Sequence, residues 1–238
     1  MSLYNFMFTE SSSMNQPWFI DSNTGRIMTG IAVKARTDSL AHGLKILLQS
    51  GGAVRTTAQD PRIYDVVGIV SPNSLEFAPA VWASHKLGCT VACMGGGSTM
   101  QELKYQFSLT GTRIVFCHVN ALERVTRAAK ECNIPLTRIV VIMKPRWGFR
   151  RENQAMGILT ADSLIRWEAK TWVTWFQLFD AFRGIVLQRN NWTTEVILPH
   201  SAVIAEINQL KQSSVPTSRV AEGDKALGVI PSHTASVS

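Results

Sequence analysis

The chain has 238 residues, 45% hydrophobic and 17% charged, with a formal net charge of +7. That balance excludes a disordered or fibrous chain and leaves room for one large domain or two small ones. The basic excess is scattered: its densest group, Lys144, Arg146, Arg150 and Arg151, reads as a loop face, and no aromatic–basic ladder marks a nucleic-acid platform.

The opening "MSLYNFMFTESSS" has no basic start and no sustained apolar core, so it does not read as a secretory leader, and residues 1–15 are expected to be disordered. Pro17 to Gly30 reads as strand, turn, strand, with Asp21 to Gly25 rich in turn formers and Gly25 suited to positive φ. From Ile31 to Leu48 apolar residues recur at helical spacing (Ala32, Ala35, Leu40, Leu44, Leu47), and Gly51-Gly52 ends that helix.

The clearest pattern follows. "DVVGIV", Asp65 to Val70, is a continuous apolar run of the kind covered on both faces. Ser71 to Ser74 turns into a helix over Glu76 to Leu87 that buries Phe77, Ala80, Val81 and Leu87. Cys89 to Met94 is a second strand. Ser98 and Gln101 have capping-box spacing before a helix over Thr99 to Leu109, which Gly111 stops. Arg113 to His118 is a third strand, Asn120 caps a helix to Cys132 with Leu122, Val125 and Ala129 inside, and Arg138 to Met143 is a fourth strand. Such alternation with short connections predicts an α/β fold, a mostly parallel sheet flanked by helices, with parallel strands across residues 60–145.

Cys89, Cys93, Cys117 and Cys132 fit no zinc spacing, and the first three lie among apolar residues. They read as buried free thiols of a reducing compartment. No apolar run approaches the roughly 20 residues of a transmembrane helix. The last residues, "ASVS", are not a peroxisomal address. A cytoplasmic chain is therefore expected.

Candidate chemistry is sparse. "MGGGS", Met94 to Ser98, follows a strand and opens a helix, yet lacks the spacing of a dinucleotide fingerprint or a Walker loop, so it reads as a tight turn. The missing glycine fingerprint also disfavours an NAD-binding oxidoreductase. Asp60, Asp65 and Glu76 form no defensible carboxylate pair, no G-x-S-x-G elbow occurs, and His233 in "PSH" is one isolated imidazole. Motifs alone supply no complete catalytic or metal site.

The stretch "DVVGIVSPNSLEFAPAVWASHKLG" resembles the N-terminal part of AMP-forming acyl-CoA synthetases, above all the fungal coumarate–CoA-ligase-like enzymes. The likeness runs on through "ELKYQFSLTGTRIVFCH", "AKECNIPLTRIVVI" and "LTADSLIRW", and resumes at "VILPHSAVIAEINQL" and "GDKALGVIPSH". The resemblance implies a large adenylate-forming N-terminal domain and the use of ATP, magnesium and coenzyme A to convert a small carboxylic acid, through its acyl-adenylate, into a thioester. Neither nucleic acid nor a transmembrane segment is expected among its partners. It places His233 beside an acyl pocket, although the flanking residues differ from the family's.

The family's phosphate loop, of the form S-S-G-T-T-G-L-P-K, belongs just before "VILPHSAVI". Here that place holds Leu187, Gln188, Arg189, Asn190, Asn191, Trp192, Thr193, Thr194 and Glu195. These residues can be encoded as CTC CAG CGG AAC AAC TGG ACT ACC GAA, followed by the G of Val196. Read one base later, the same bases spell Ser-Ser-Gly-Thr-Thr-Gly-Leu-Pro-Lys. The loop thus reads as if out of frame, with the frame returning at Val196, where an amphipathic helix is expected to begin. "WVTWFQLF", within Thr171 to Arg183, reads either as a buried aromatic helix or as part of the same shift. The expected organisation is a disordered 1–15, an α/β subdomain over 16–165, an aberrant segment over 166–195, and a truncated continuation over 196–238. On this reading the chain is an incomplete, inactive ligase fragment that binds neither ATP, magnesium nor coenzyme A. A non-catalytic α/β module is the alternative.

Overall fold

A computed structural model describes residues 2–9, 13–49, 65–142, 156–166, 184–188 and 195–212. A helix α1 (Leu3–Thr9) precedes a hairpin, β1 (Pro17–Ile20) and β2 (Ile27–Thr29), and a long helix α2 (Gly30–Gln49). Then come β3 (Val66–Ser71), α3 (Phe77–Lys86), β4 (Thr90–Gly95), α4 (Met100–Thr110), β5 (Thr112–Cys117), α5 (Leu122–Glu131) and β6 (Ile139–Val141). The last elements are β7 (Leu159–Thr160), α6 (Ala161–Arg166), β8 (Gly184–Gln188), β9 (Glu195–Pro199) and α7 (His200–Gln212).

One seven-stranded sheet runs β7-β6-β5-β3-β4-β8-β9. All neighbours pair in parallel except β8 with β9, so the expected parallel layer is borne out. Its alternation is clean. Val67, Ile69, Val91, Cys93, Ile114 and Phe116 pack one face against α2, α3 and α6. Val70, Ala92, Met94, Val115 and Cys117 pack the other against α4 and α5. The chain steps from β3 to β4 through α3, then reverses across β3 to reach β5 and β6. Right-handed crossovers require that reversal to put α4 and α5 on the face opposite α3. Helices α2 and α6 approach so closely at Gly43 that a Cβ there would sit 2.5 Å from the Leu164 carbonyl oxygen.

Several expectations are corrected. The first 15 residues are not wholly disordered: α1 buries Leu3, Tyr4 and Phe6. The Tyr4 hydroxyl donates to the Asp38 carboxylate, which Lys34 and Lys86 also hold at 2.7 and 2.8 Å. In α2, Ala32 and Ala35 face outward, and the buried stripe runs through Val33, Thr37, Leu40, Ala41, Leu44 and Leu47. The capping box of α4 is Thr99 with Glu102, one residue beyond the expected Ser98 and Gln101, because Ser98 is engaged in the turn before it. Asn120 does not cap α5. His118 caps a short 3-10 turn over Val119–Ala121, its Nδ1 accepting from the Asn120 amide at 3.2 Å. Val196 begins no helix: Glu195–Pro199 is strand β9, and α7 starts at His200. Consecutive Val196, Ile197 and Leu198 suit a strand, and β8 supplies the backbone partners.

Other expectations hold. Gly25 has φ +68°, and the Asp21 carboxylate accepts the Asn23 and Thr24 amides in the β1–β2 turn. Cys89, Cys93 and Cys117 are buried free thiols, and Cys132 is half-buried. Among the described residues no helix is long and apolar enough to cross a membrane. Arg146, Arg150, Thr171 to Arg183 and His233 lie outside the described residues.

Candidate functional site

In open α/β sheets ligands settle outside the carboxyl ends of the strands, above all where successive connections leave in opposite directions. Here β3 leads away towards β4 and β5 towards β6, so the crevice lies between the ends of β3 and β5. Its walls are the Ser71–Ser74 turn, with Ser71 Oγ donating to the Pro72 carbonyl at 2.7 Å, and His118, whose amide donates to the Val70 carbonyl at 2.9 Å. Burial holds the His118 imidazole below its ordinary pKa, so it is neutral at pH 7 and already accepts one hydrogen bond at Nδ1. With Nδ1 accepting, Nε2 carries the ring proton, so this neutral imidazole offers the site a hydrogen-bond donor.

The Gly95–Ser98 turn at the end of β4 is adjacent. Gly96 lies against Pro72, where a Cβ would meet Pro72 Cδ at 2.5 Å, so the two turns can touch only with glycine there. Arg124 of α5 donates to the Ser98 and Gly96 carbonyls at 2.9 and 2.7 Å. The Ser98 amide donates to the Gly95 carbonyl, and the Thr99 amide donates to the Glu102 carboxylate. The Ser98 and Thr99 amides are thus engaged within the turn and the helix cap that follows it.

The place expected to hold the phosphate loop is next along the same edge. Leu187 and Gln188 end β8, Glu195 opens β9, and Gln188 pairs with Glu195 across the antiparallel ladder. Arg189, Asn190, Asn191, Trp192, Thr193 and Thr194 connect the two strands and lie outside the described residues. Because β8 is parallel to β4, its last residue, Gln188, is at the carboxyl edge of the sheet. The described residues bring together no group of three or more His, Cys, Asp or Glu able to hold a metal.

Two groups in the site's setting escaped the sequence reading. His118 was legible only as a strand end. Arg124 reads as one exposed charge of an amphipathic helix, and only the packing of α5 on α4 brings it to the turn that precedes α4. The carboxylates of Asp65 and Glu76 are structural: Asp65 pairs with Arg113 at 2.5 Å, and Glu76 with Arg36 at 2.8 Å.

No family model matches the chain. Among characterised proteins, the acyl-CoA ligase AFT1-1 of Alternaria alternata is 25% identical over 206 residues, 84% of this chain and 34% of that protein. The chain thus spans about a third of the length of the curated relatives it matches. A structure assigned as a long-chain-fatty-acid CoA ligase from Rhodopseudomonas palustris superposes with TM-score 0.69 at 16% identity, over 97% of this chain and 51% of that one. The anthranilate CoA ligase AuaEII, solved with anthranoyl-AMP, superposes with TM-score 0.62 at 18% identity, over 84% of this chain and 35% of that one. The fold is that of the N-terminal domain of adenylate-forming enzymes, and the sequence is similar to fungal acyl-CoA ligases.

Proposed function

We propose that this chain supplies the N-terminal part of an AMP-forming acid–thiol ligase, and that as written it does not form acyl-adenylates. In the reaction the resemblance implies, a carboxylate oxygen attacks the α-phosphorus of ATP and pyrophosphate leaves. The thiol of coenzyme A then takes the acyl group and AMP departs. The relatives named above bear the names of CoA ligases, and one was solved with anthranoyl-AMP.

One observation carries the reading. Strand β8, parallel to β4, ends at Gln188 and β9 opens at Glu195, and the resemblance assigns the phosphate loop to residues 187–195, which span the two strand ends. There Gln188, Arg189, Asn190, Asn191, Trp192 and Glu195 stand where the resemblance expects Ser, Gly, Thr, Thr, Gly and Lys. Glycines allow backbone amides to approach an anion, and hydroxyls and a lysine add donors and charge. Each preorganised donor of that kind contributes about 3–4 kcal/mol of transition-state stabilisation.

Pyrophosphate exchange into ATP, with aromatic and fatty acids as substrates, tests this on three proteins: the chain as written, the chain with residues 187–195 changed to S-S-G-T-T-G-L-P-K, and that version continued to the length of its relatives. Exchange is expected only from the third, because a phosphate cradle without the rest of a nucleotide site cannot place the α-phosphate against a carboxylate. Exchange from the first would overturn the proposed inactivity. Absence of exchange from the third would overturn the ligase assignment.

A further inference from the structure

A second concave site lies at the opposite, amino-terminal edge of the sheet. It has a volume of about 450 Å³ and is formed where α4 and α5 end and β5 and β6 begin. Phe107, Ile134 and Pro135 give it apolar walls, Cys132 lies at its side, and Arg113 and Arg138 supply its charge. Arg138 is only 9% exposed, although it immediately precedes β6 on a short turn. Among the described residues it has no carboxylate partner within ion-pairing distance, whereas Arg113 is neutralised by Asp65 at 2.5 Å. Burial and then the like charge of Arg113 press the Arg138 guanidinium below its ordinary pKa, with Asp65 opposing. A guanidinium partly desolvated at a pocket wall, with no ion pair of its own among the described residues, carries a desolvation cost that an anion entering the pocket would reduce.

The charges count out simply. Two guanidinium groups and one carboxylate leave a net charge of +1, which one monoanion balances and a dianion exceeds. The volume is in the range of small-molecule sites and exceeds what a lone inorganic ion fills. Apolar walls on one side and a charged corner on the other fit an amphipathic ligand. We propose that this pocket binds a small monocarboxylate with a compact apolar body, its carboxylate against Arg138 and Arg113 and its body against Phe107, Ile134 and Pro135. The site lies at the far end of the strands from the phosphate-loop position and does not depend on the ligase reading.

Cys132 gives a local readout. It is the one cysteine of the four that is not buried, and its thiol lies 3.4 Å from the Lys104 carbonyl and from Ser108 Oγ, at the side of the pocket. The rate of Cys132 alkylation by iodoacetamide is followed by peptide mass spectrometry on the full chain, at fixed ionic strength, with benzoate, benzamide or inorganic phosphate added. Benzoate at saturation is expected to slow alkylation by about fivefold or more, with benzamide and phosphate leaving it nearly unchanged. In R138Q the benzoate effect should disappear. No slowing by benzoate overturns the site. Equal slowing by benzamide overturns the role of charge, and equal slowing by phosphate overturns the assignment of an apolar-bodied monoanion. Persistence of the full benzoate effect in a folded R138Q overturns the role of Arg138. The wild-type comparison decides the proposal by itself if R138Q does not fold.

Discussion

The sheet's centre and its β8–β9 end are built differently. Strands β3 and β4 pair across six residues each, from Val66 opposite Thr90 to Ser71 opposite Gly95, and both faces are covered by helices. Strand β8 joins β4 through only two registered pairs, Val91 with Ile185 and Ala92 with Val186. At the centre, apolar pattern, capping and packing all indicate the same elements, the agreement expected of a well-specified fold. At the hairpin the two strands fit the sheet, and on the proposed reading the residues between them lack the chemistry of a phosphate loop. A sheet edge accepts almost any residues able to extend and pair, because the ladder is made by main-chain groups. A phosphate cradle needs particular residues.

The sharpest way to break this contrast is to compare core and hairpin directly. Phe116→Ala removes a fully buried ring from the sheet centre, and its expected cost is about 3–5 kcal/mol in denaturant unfolding. Val186→Pro deletes a ladder donor in β8 and should cost clearly less, because so little of β8 is registered on β4. Equal losses would show that the hairpin is as integral as the centre. Native-state hydrogen exchange gives the same contrast without mutation: amides of β3, β4 and β5 should be the slowest, and those of β8 should exchange faster.

Gly43→Ala sharpens the packing side of the comparison. Its new methyl would meet the Leu164 carbonyl, so a loss of about 1–3 kcal/mol is expected, measured by the same denaturation. Unchanged stability would show that α2 and α6 separate freely.

His85 tests the core by pH. Burial, and secondarily the charge of His200, lowers its pKa from 6.5 to about 3, and no hydrogen-bond partner reaches either ring nitrogen among the described residues. The unfolded chain binds a proton between pH 6.5 and 3 that the folded chain refuses, so stability falls as pH drops through that window. The limiting slope for this one group is about 1.4 kcal/mol per pH unit. His85→Leu should flatten the wild-type decline between pH 6.5 and 5. An unaltered slope would place the acid sensitivity elsewhere.

The smallest effect concerns α1. Asp38→Asn weakens the contacts that hold Tyr4, Lys34 and Lys86 together. Because these groups are partly exposed, a loss of about 1 kcal/mol is expected. Faster proteolytic cleavage near Leu3–Thr9 would report release of the helix, and unchanged cleavage would show that the buried Leu3 and Phe6 suffice to hold it.

The sequence by itself determined the parallel α/β core, since apolar runs such as "VVGIV" and helical stripes such as Leu122, Val125 and Ala129 express burial directly. It also made "MGGGS" legible as a turn. Residue-level detail was legible to within a position or so: the capping box fell at Thr99 and Glu102 because capping depends on where the preceding turn closes. Tertiary structure decided the rest. The strand identity of Val196 to Leu198 depended on β8 offering a partner, and the order of α1 depended on Asp38 and the surrounding helices. Arg124 reached the Gly95–Ser98 turn, and Arg138 came beside Arg113, only because crossover connections bring distant segments to one edge. A linear pattern records which side chains avoid water. It does not record which charges meet, because that depends on strand order and the handedness of the connections.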